Sequence, residues 1–271
     1  MESSLHITLQ AQRLFEVWGV PITNTVVATW GIMAAMLIAA AVIGSRLKLV
    51  PGRVQNAVEM GIELVWSYVS DMLPEKYAKR YFPLIATIFI FVLVANMIEF
   101  APIYETVTAG HTPLFHVATT DLNTPLALAI ISFFVAEFAG IGALGVLKYG
   151  SKFVNFRGGA MGFIIGILEI IGDLARLISL SFRLFGAIFA GEVLVMVISY
   201  FVPYLAPVPL MAFEMFIGLL QAAIFAILTL AYIKLAVEEP HGAGAGQPHT
   251  ASLGEARAAP ARTAGVLSGG H

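Results

Sequence analysis

The sequence predicts an all-α, polytopic membrane protein with about five membrane-crossing helices and one further helix on the membrane surface. Hydrophobic residues make up 59% of the 271 residues and charged residues only 12%. That charged share is about half of what an ordinary soluble domain carries, too little to cover a water-facing surface. Five segments are also long and apolar enough to cross a hydrocarbon core, which takes roughly 20 residues as helix. Strand-like alternation is absent.

The elements follow in order. Residues 1–21 lack the basic start, apolar run and small-residue cleavage site of a signal peptide. They read as a short amphipathic lead-in to the first span, 24–44, which carries no charge. In 51–73, Val54, Val58, Ile62, Leu64, Val65, Tyr68 and Val69 recur at helical spacing, as in a helix lying on the membrane or against a bundle. The second span, 81–98, is bounded by Arg80 and Glu99, and the third, 122–147, carries Glu137 near its middle. The fourth, 161–201, is interrupted by Glu169, Asp173, Arg176, Arg183 and Glu192. The fifth, 208–237, holds Glu214 and Gln221. Residues 1–237 thus read as one transmembrane domain. Residues 238–271, rich in Gly, Ala and Pro, read as a disordered cytoplasmic tail.

Orientation follows from the basic residues at the span ends. Arg46, Lys48 and Arg53, then Lys76, Lys79 and Arg80, then Lys148, Lys152 and Arg157 form three clusters. Placing all three in the cytoplasm is self-consistent. It puts the N-terminus outside, the C-terminus inside, and the loop 101–121, which has no Lys or Arg, outside. The net charge of -2 argues against a nucleic-acid partner. With no cysteine and six scattered histidines, neither a metal site nor a cofactor is implied. No nucleophile–base pair stands at a credible spacing for an enzyme.

Charges at bilayer depth are the informative feature. An arginine at a span centre costs roughly 2.5–3.5 kcal/mol on insertion scales and cannot shed its proton. Arg183 is the lone charge of 177–191, so it must face protein or water. One reading is a structural ion pair locking two helices; the other is a functional cation. At about 100° per residue, Glu169 and Arg176 fall near the azimuth of Arg183, and Asp173 can satisfy Arg176 at short range. Glu192 points to the opposite face and needs its own partner or water. Glu214 and Gln221 share a face of the last span. The series of polar groups at different depths suits a stepwise ion path better than a single ion pair. Gly186, Ala187, Ala190 and Gly191 leave the flank after Arg183 nearly bare, for tight packing within the bundle or for an intersubunit surface.

The run Ser179-Leu-Ser-Phe-Arg-Leu-Phe-Gly-Ala-Ile-Phe-Ala-Gly-Glu192 resembles the signature of subunit a of the rotary F-type ATP synthase, and Leu220-Gln-Ala-Ala-Ile-Phe-Ala226 extends the match. Tyr81-Phe-Pro-Leu-Ile with Asn96, and Asp121-Leu-Asn-Thr, look like further patterns of that family, so the resemblance covers about 81–239. It implies an ion-translocating stator subunit of the bacterial plasma membrane that offers two half-channels for H⁺ or Na⁺ and performs no bond chemistry. Its implied partners are a rotating c-ring, the peripheral-stalk subunit b and membrane lipid. Arg183 would face the ring carboxylates, and the last two long helices would form a tilted hairpin against the ring. Glu192, Glu214 and Gln221 match positions of the outer half-channel and the surroundings of the arginine. Glu169, with Asp173 beside it, matches the cytoplasmic side, and Glu99 and Asp121 match the outer mouth. Departures from the pattern are Ala187 in place of the usual asparagine, Leu177 in place of the common proline, a longer tail, and Glu137, which no motif explains.

The alternative from the residues alone is a secondary transporter holding an anionic substrate at Arg183. It calls for inverted repeats and broken helices at corresponding positions, and the sequence displays neither. The absence of cysteine makes the orientation directly testable. A cysteine at Thr106→Cys is expected to react with an impermeant maleimide from the outer face of intact cells. Ser151→Cys is expected to react in inverted vesicles alone.

Overall fold

The computed structural model describes residues 13–17, 20–48, 50–98, 108–109, 112–113, 121–146, 149–150, 159–202 and 205–238. Among the described residues six helices are delimited: α1 (Asn24–Ser45), α2 (Arg53–Met72), α3 (Glu75–Ile98), α4 (Asn123–Leu144), α5 (Gly159–Phe201) and α6 (Pro207–Val237). All but α2 are long and apolar enough to cross a membrane, so the chain is a polytopic all-α membrane protein. Two short antiparallel hairpins accompany them, β1 (Arg13–Val17) with β2 (Val20–Thr23) and β3 (Thr108–Ala109) with β4 (Thr112–Pro113). The first replaces part of the expected amphipathic lead-in. Strands of two to five residues offer too few alternating positions for a period of two to register.

Local chemistry sets the helix ends. α3 begins at Glu75 instead of 81, because Pro74 opens its first turn by accepting from the N–H groups of Tyr77 and Ala78. The i,i+4 pair of Glu75 and Lys79 supports that turn. Hydropathy marks where lipid begins, whereas the helix runs on into the polar region. α4 stops at Leu144 instead of 147, because Gly145 takes φ 81°, a positive-φ backbone outside the helical region that glycine adopts without steric cost. α2 buries Val65 and Val69 and sets Trp66 edge-on to Phe82 of α3, with ring centroids 5.1 Å apart.

The bundle is organised around α6, which packs against α3, α4 and α5. Gly218, Ala222, Phe225, Ala226, Thr229, Leu230 and Ile233 form its buried stripe. Lipid tails are as apolar as leucine, so helices in a bilayer associate through close packing and hydrogen bonds. Both are visible here. Thr229 donates to Ser132 of α4 at 3.2 Å, or to the Phe225 carbonyl at 2.9 Å, and Asn96 of α3 donates to the Gly218 carbonyl at 3.0 Å. α1 docks through its first turns alone: Asn24, Thr25, Ala28 and Ile32 are buried, while Trp30, Leu37, Ile38 and Val42 are exposed. α5 turns Leu180, Ser181, Leu184 and Ile188 inward and leaves Ile164, Ile167, Ile171, Ile178 and Phe182 uncovered.

A Cβ at Gly218 would stand 3.0 Å from Cβ of Asn96. Gly218→Val is therefore expected to destabilise the protein by about 1–3 kcal/mol through overpacking. The check is a lowered thermal midpoint in detergent, with Phe216→Leu as the exposed-flank control.

Candidate functional site

Every ionisable group predicted within the long helices is placed by α5 and α6. Arg183 emerges from α5 beside Phe182, on the side away from the buried Leu180, Leu184 and Ile188, and is exposed. Among the described residues it forms no salt bridge and no side-chain hydrogen bond. The structural reading, an ion pair locking two helices of this chain, thus finds no partner there. A cation that keeps its proton in the middle of an apolar run needs a counter-charge or water from elsewhere.

A polar cluster lies toward the N-terminal end of α5. The Arg176 guanidinium donates to Asp173 at 2.6 Å, stands 3.9 Å from Glu169 and lies 5.9 Å from the centroid of the Tyr232 ring. The short-range pairing expected from the i,i+3 spacing is present. Asp173 is only 5% exposed. From α4, Glu137 accepts a 2.9 Å hydrogen bond from the Tyr149 hydroxyl. The Tyr149 ring crosses α4 at Gly140, where a Cβ would overlap the ring and stand 3.0 Å from the Ala236 carbonyl of α6. Burial of that ring, the bond to Glu137 and the negative charges of Glu137, Asp173 and Glu169 push its phenol well above the ordinary tyrosine range. Tyr149 therefore stays a donor. Glu137, Tyr149, Asp173, Arg176 and Tyr232 all border one cavity of about 20 Å³.

A second cluster lies nine residues beyond Arg183, roughly 13 Å along the axis. Glu214 of α6 is 5% exposed and packs onto Gly191 of α5, where an added Cβ would overlap its carboxyl group. Its Oε1 has no hydrogen-bond partner among the described residues. Glu192, half-buried, lies within electrostatic reach. The bare flank after Arg183 thus divides: Gly191 serves packing within the bundle, while a Cβ at Gly186 would meet nothing within 4 Å. Gln221, two turns beyond Glu214, is half-buried.

The other predicted residues stand apart. Asp121 accepts from Thr25 of α1 at 2.9 Å and from the Asn123 backbone N–H at 3.2 Å, so it caps α4 and ties α1 to it. Glu99 lies outside the described residues. Among the described residues no group of three or more His, Asp or Glu is placed to hold a metal ion. Sequence reasoning missed the Glu137–Tyr149 pair and the Gly191–Glu214 contact. The signal for the first was the unexplained carboxylate in a span; its phenol partner, in a connecting segment, carried none.

The chain matches the profile of the ATP synthase A chain family over residues 26–234. It is 40% identical over 217 residues to ATP synthase subunit a of Campylobacter jejuni, covering 78% of this chain and 90% of that protein. It is 33% identical over 220 residues to subunit a of Moorella thermoacetica, covering 81% and 93%. With subunit a of Geobacter sulfurreducens it shares 34% identity over 221 residues, covering 80% and 89%.

The Gly191–Glu214 contact predicts that Gly191→Val lowers thermal stability by about 1–3 kcal/mol. Adding Glu214→Ala is expected to restore most of that loss, measured as thermal midpoints of the single and double variants.

Proposed function

The chain belongs to the ATP synthase A chain family, and on that premise we propose that it is the ion-translocating stator subunit whose Arg183 faces the carboxylates of a rotating c-ring. The observation that carries this reading is an exposed, permanently charged arginine in an apolar run, with no counter-charge among the described residues of its own chain. A ring carboxylate supplies that counter-charge from outside. The uncovered apolar face of α5 around Phe182 is the surface such a ring would occupy. α5 is 43 residues long, or about 65 Å, and α6 is 31 residues, or about 46 Å, against a hydrocarbon core of about 30 Å. Such helices fit a bilayer as a steeply tilted pair, which suits a hairpin following the curve of a ring.

The mechanism follows from electrostatics. A ring carboxylate is expensive to leave charged while it faces lipid, so it travels protonated or ion-bound. Near Arg183 the ionised form is favoured, and the bound ion leaves. Glu192, Glu214 and Gln221, toward the C-terminal end of α5, serve the half-channel open to the outside, with Asp121 and Glu99 toward its mouth. Glu169 and Asp173 serve the cytoplasmic half-channel. Arg183 between the two sets repels a cation that would pass directly, so transport is tied to ring rotation. At 100 mV each charge crossing supplies about 2.3 kcal/mol. The ion is H⁺ or Na⁺, and subunit b of the peripheral stalk would hold the chain still against the ring. The N-terminus lies outside and the C-terminus in the cytoplasm of a bacterial plasma membrane.

Arg183→Ala is expected to abolish ATP-driven ion uptake in inverted vesicles while the ring still co-purifies with the chain. Uptake at the wild-type level would make the arginine structural and overturn the reading.

A further inference from the structure

We propose that the cavity between α2, α3 and α6 is a binding site for one anionic phospholipid, with an acyl chain inside and the phosphate at Lys234. No residue of α5, the helix of Arg183, lines it, and it does not depend on the motor reading. The cavity measures about 280 Å³, nearly twice the roughly 150 Å³ of an apolar cavity that takes up benzene. Val69, Ile85 and Leu230 are buried in its wall, while Leu64, Tyr68 and Ile227 stand exposed around it. Of its twelve lining residues only Tyr68 has a polar side-chain atom, so the cavity lacks the two to four partners that hold a buried water. Hydrocarbon is what such a space accepts. Two of its walls, α3 and α6, are long and apolar enough to cross a membrane, which puts the cavity within reach of acyl chains.

One end of the cavity is polar. Ala223, Ile227, Leu230 and Lys234 follow at i, i+4, i+7 and i+11, a single face of α6. Lys234 thus continues the apolar wall, about 6 Å beyond Leu230. Its ion-pair partner Glu238 stands 3.8 Å away, too far for a hydrogen bond, so its donors are open to a phosphate oxygen. α3 runs antiparallel to α6, since Asn96 meets Gly218 while Ile85 shares the cavity with Leu230. Arg80, five residues before Ile85, therefore stands at the same end as Lys234. It keeps its charge, lies 5.9 Å from the Tyr81 ring centroid and forms no salt bridge among the described residues. Glu75 is paired with Lys79 and Glu238 with Lys234, which leaves Lys76 and Arg80 against Asp71 and an excess of positive charge. A helix is about 10–12 Å across with its side chains, too thick for this space, and an apolar partner would leave the cations unanswered. An acyl chain with a phosphate at its head answers both. Filling the void also restores the dispersion contacts that its lining atoms lack, so the bound lipid braces α2 against α6.

The test is native mass spectrometry of the full chain in detergent, supplied with phosphatidylglycerol or phosphatidylcholine. The wild type is expected to retain one phosphatidylglycerol per chain, several-fold more often than phosphatidylcholine, and its thermal midpoint to rise saturably with the anionic lipid. Lys234→Gln is expected to lose that preference while its retention of phosphatidylcholine is unchanged. Ala223→Phe, which fills the cavity, is expected to lower retention of both lipids several-fold. Equal retention of the two lipids by the wild type overturns the proposal, as does unchanged retention in Ala223→Phe. If Ala223→Phe fails to fold, an unchanged preference in Lys234→Gln overturns it instead. A partner chain that co-purifies with the wild type and is lost from Ala223→Phe, with lipid retention unaltered, gives the groove to a protein and overturns it too.

Discussion

Close contact between small residues on α6 is the constraint on which the remaining structure depends. In water, α3, α4 and α5 would be driven onto α6 by burial of apolar surface. In lipid that drive is missing, and interhelical hydrogen bonds contribute only about 0.6 kcal/mol each on average. What remains is fit. Gly218 lets Asn96 reach a backbone carbonyl, Ala222 and Ala226 bring neighbouring helices close, and Thr229 reaches Ser132. Fixing α6 in this way fixes the height of Glu214, and the absence of a side chain at Gly191 lets α5 close upon it.

That packing also decides which charges are sheltered. Asp173 and Glu214 are turned inward, each 5% exposed, at opposite ends of the α5–α6 contact. Arg183, between them on α5, is turned outward. A structure selected for the stability of the isolated chain would bring one of these acids to the arginine. Here the helices hold them apart along the axis, and the cation is left with no counter-charge among the described residues.

The fold was legible because the bilayer imposes long apolar segments, and these survive as composition in the sequence. Five long apolar helices and a sixth, α2, that packs against α3 are what hydropathy and helical spacing lead one to expect. The ends shifted where polar chemistry takes over, as at Pro74 and Gly145. Within the site, the pairing of Asp173 with Arg176 followed from spacing on one helix. Contacts between helices were another matter. Nothing in the local sequence says that Gly191 faces Glu214 or that Tyr149 folds back on Glu137, because those contacts are fixed by helix rotation and by a connecting segment. Asp121, expected near an outer mouth, also caps α4 and tethers α1, a role that one-dimensional spacing does not reveal.

The outward-turned Arg183 also bears on how such a protein comes into being. If Arg183 meets a ring carboxylate as proposed, a newly inserted copy presents a guanidinium to lipid and stays electrostatically incomplete until the ring arrives. Orphan copies are thereby distinguishable from assembled ones by a feature of their membrane face alone. On that reading the asymmetry lies with this chain: surplus ring can neutralise its carboxylates by binding ions, whereas a surplus copy of this chain keeps its guanidinium charged.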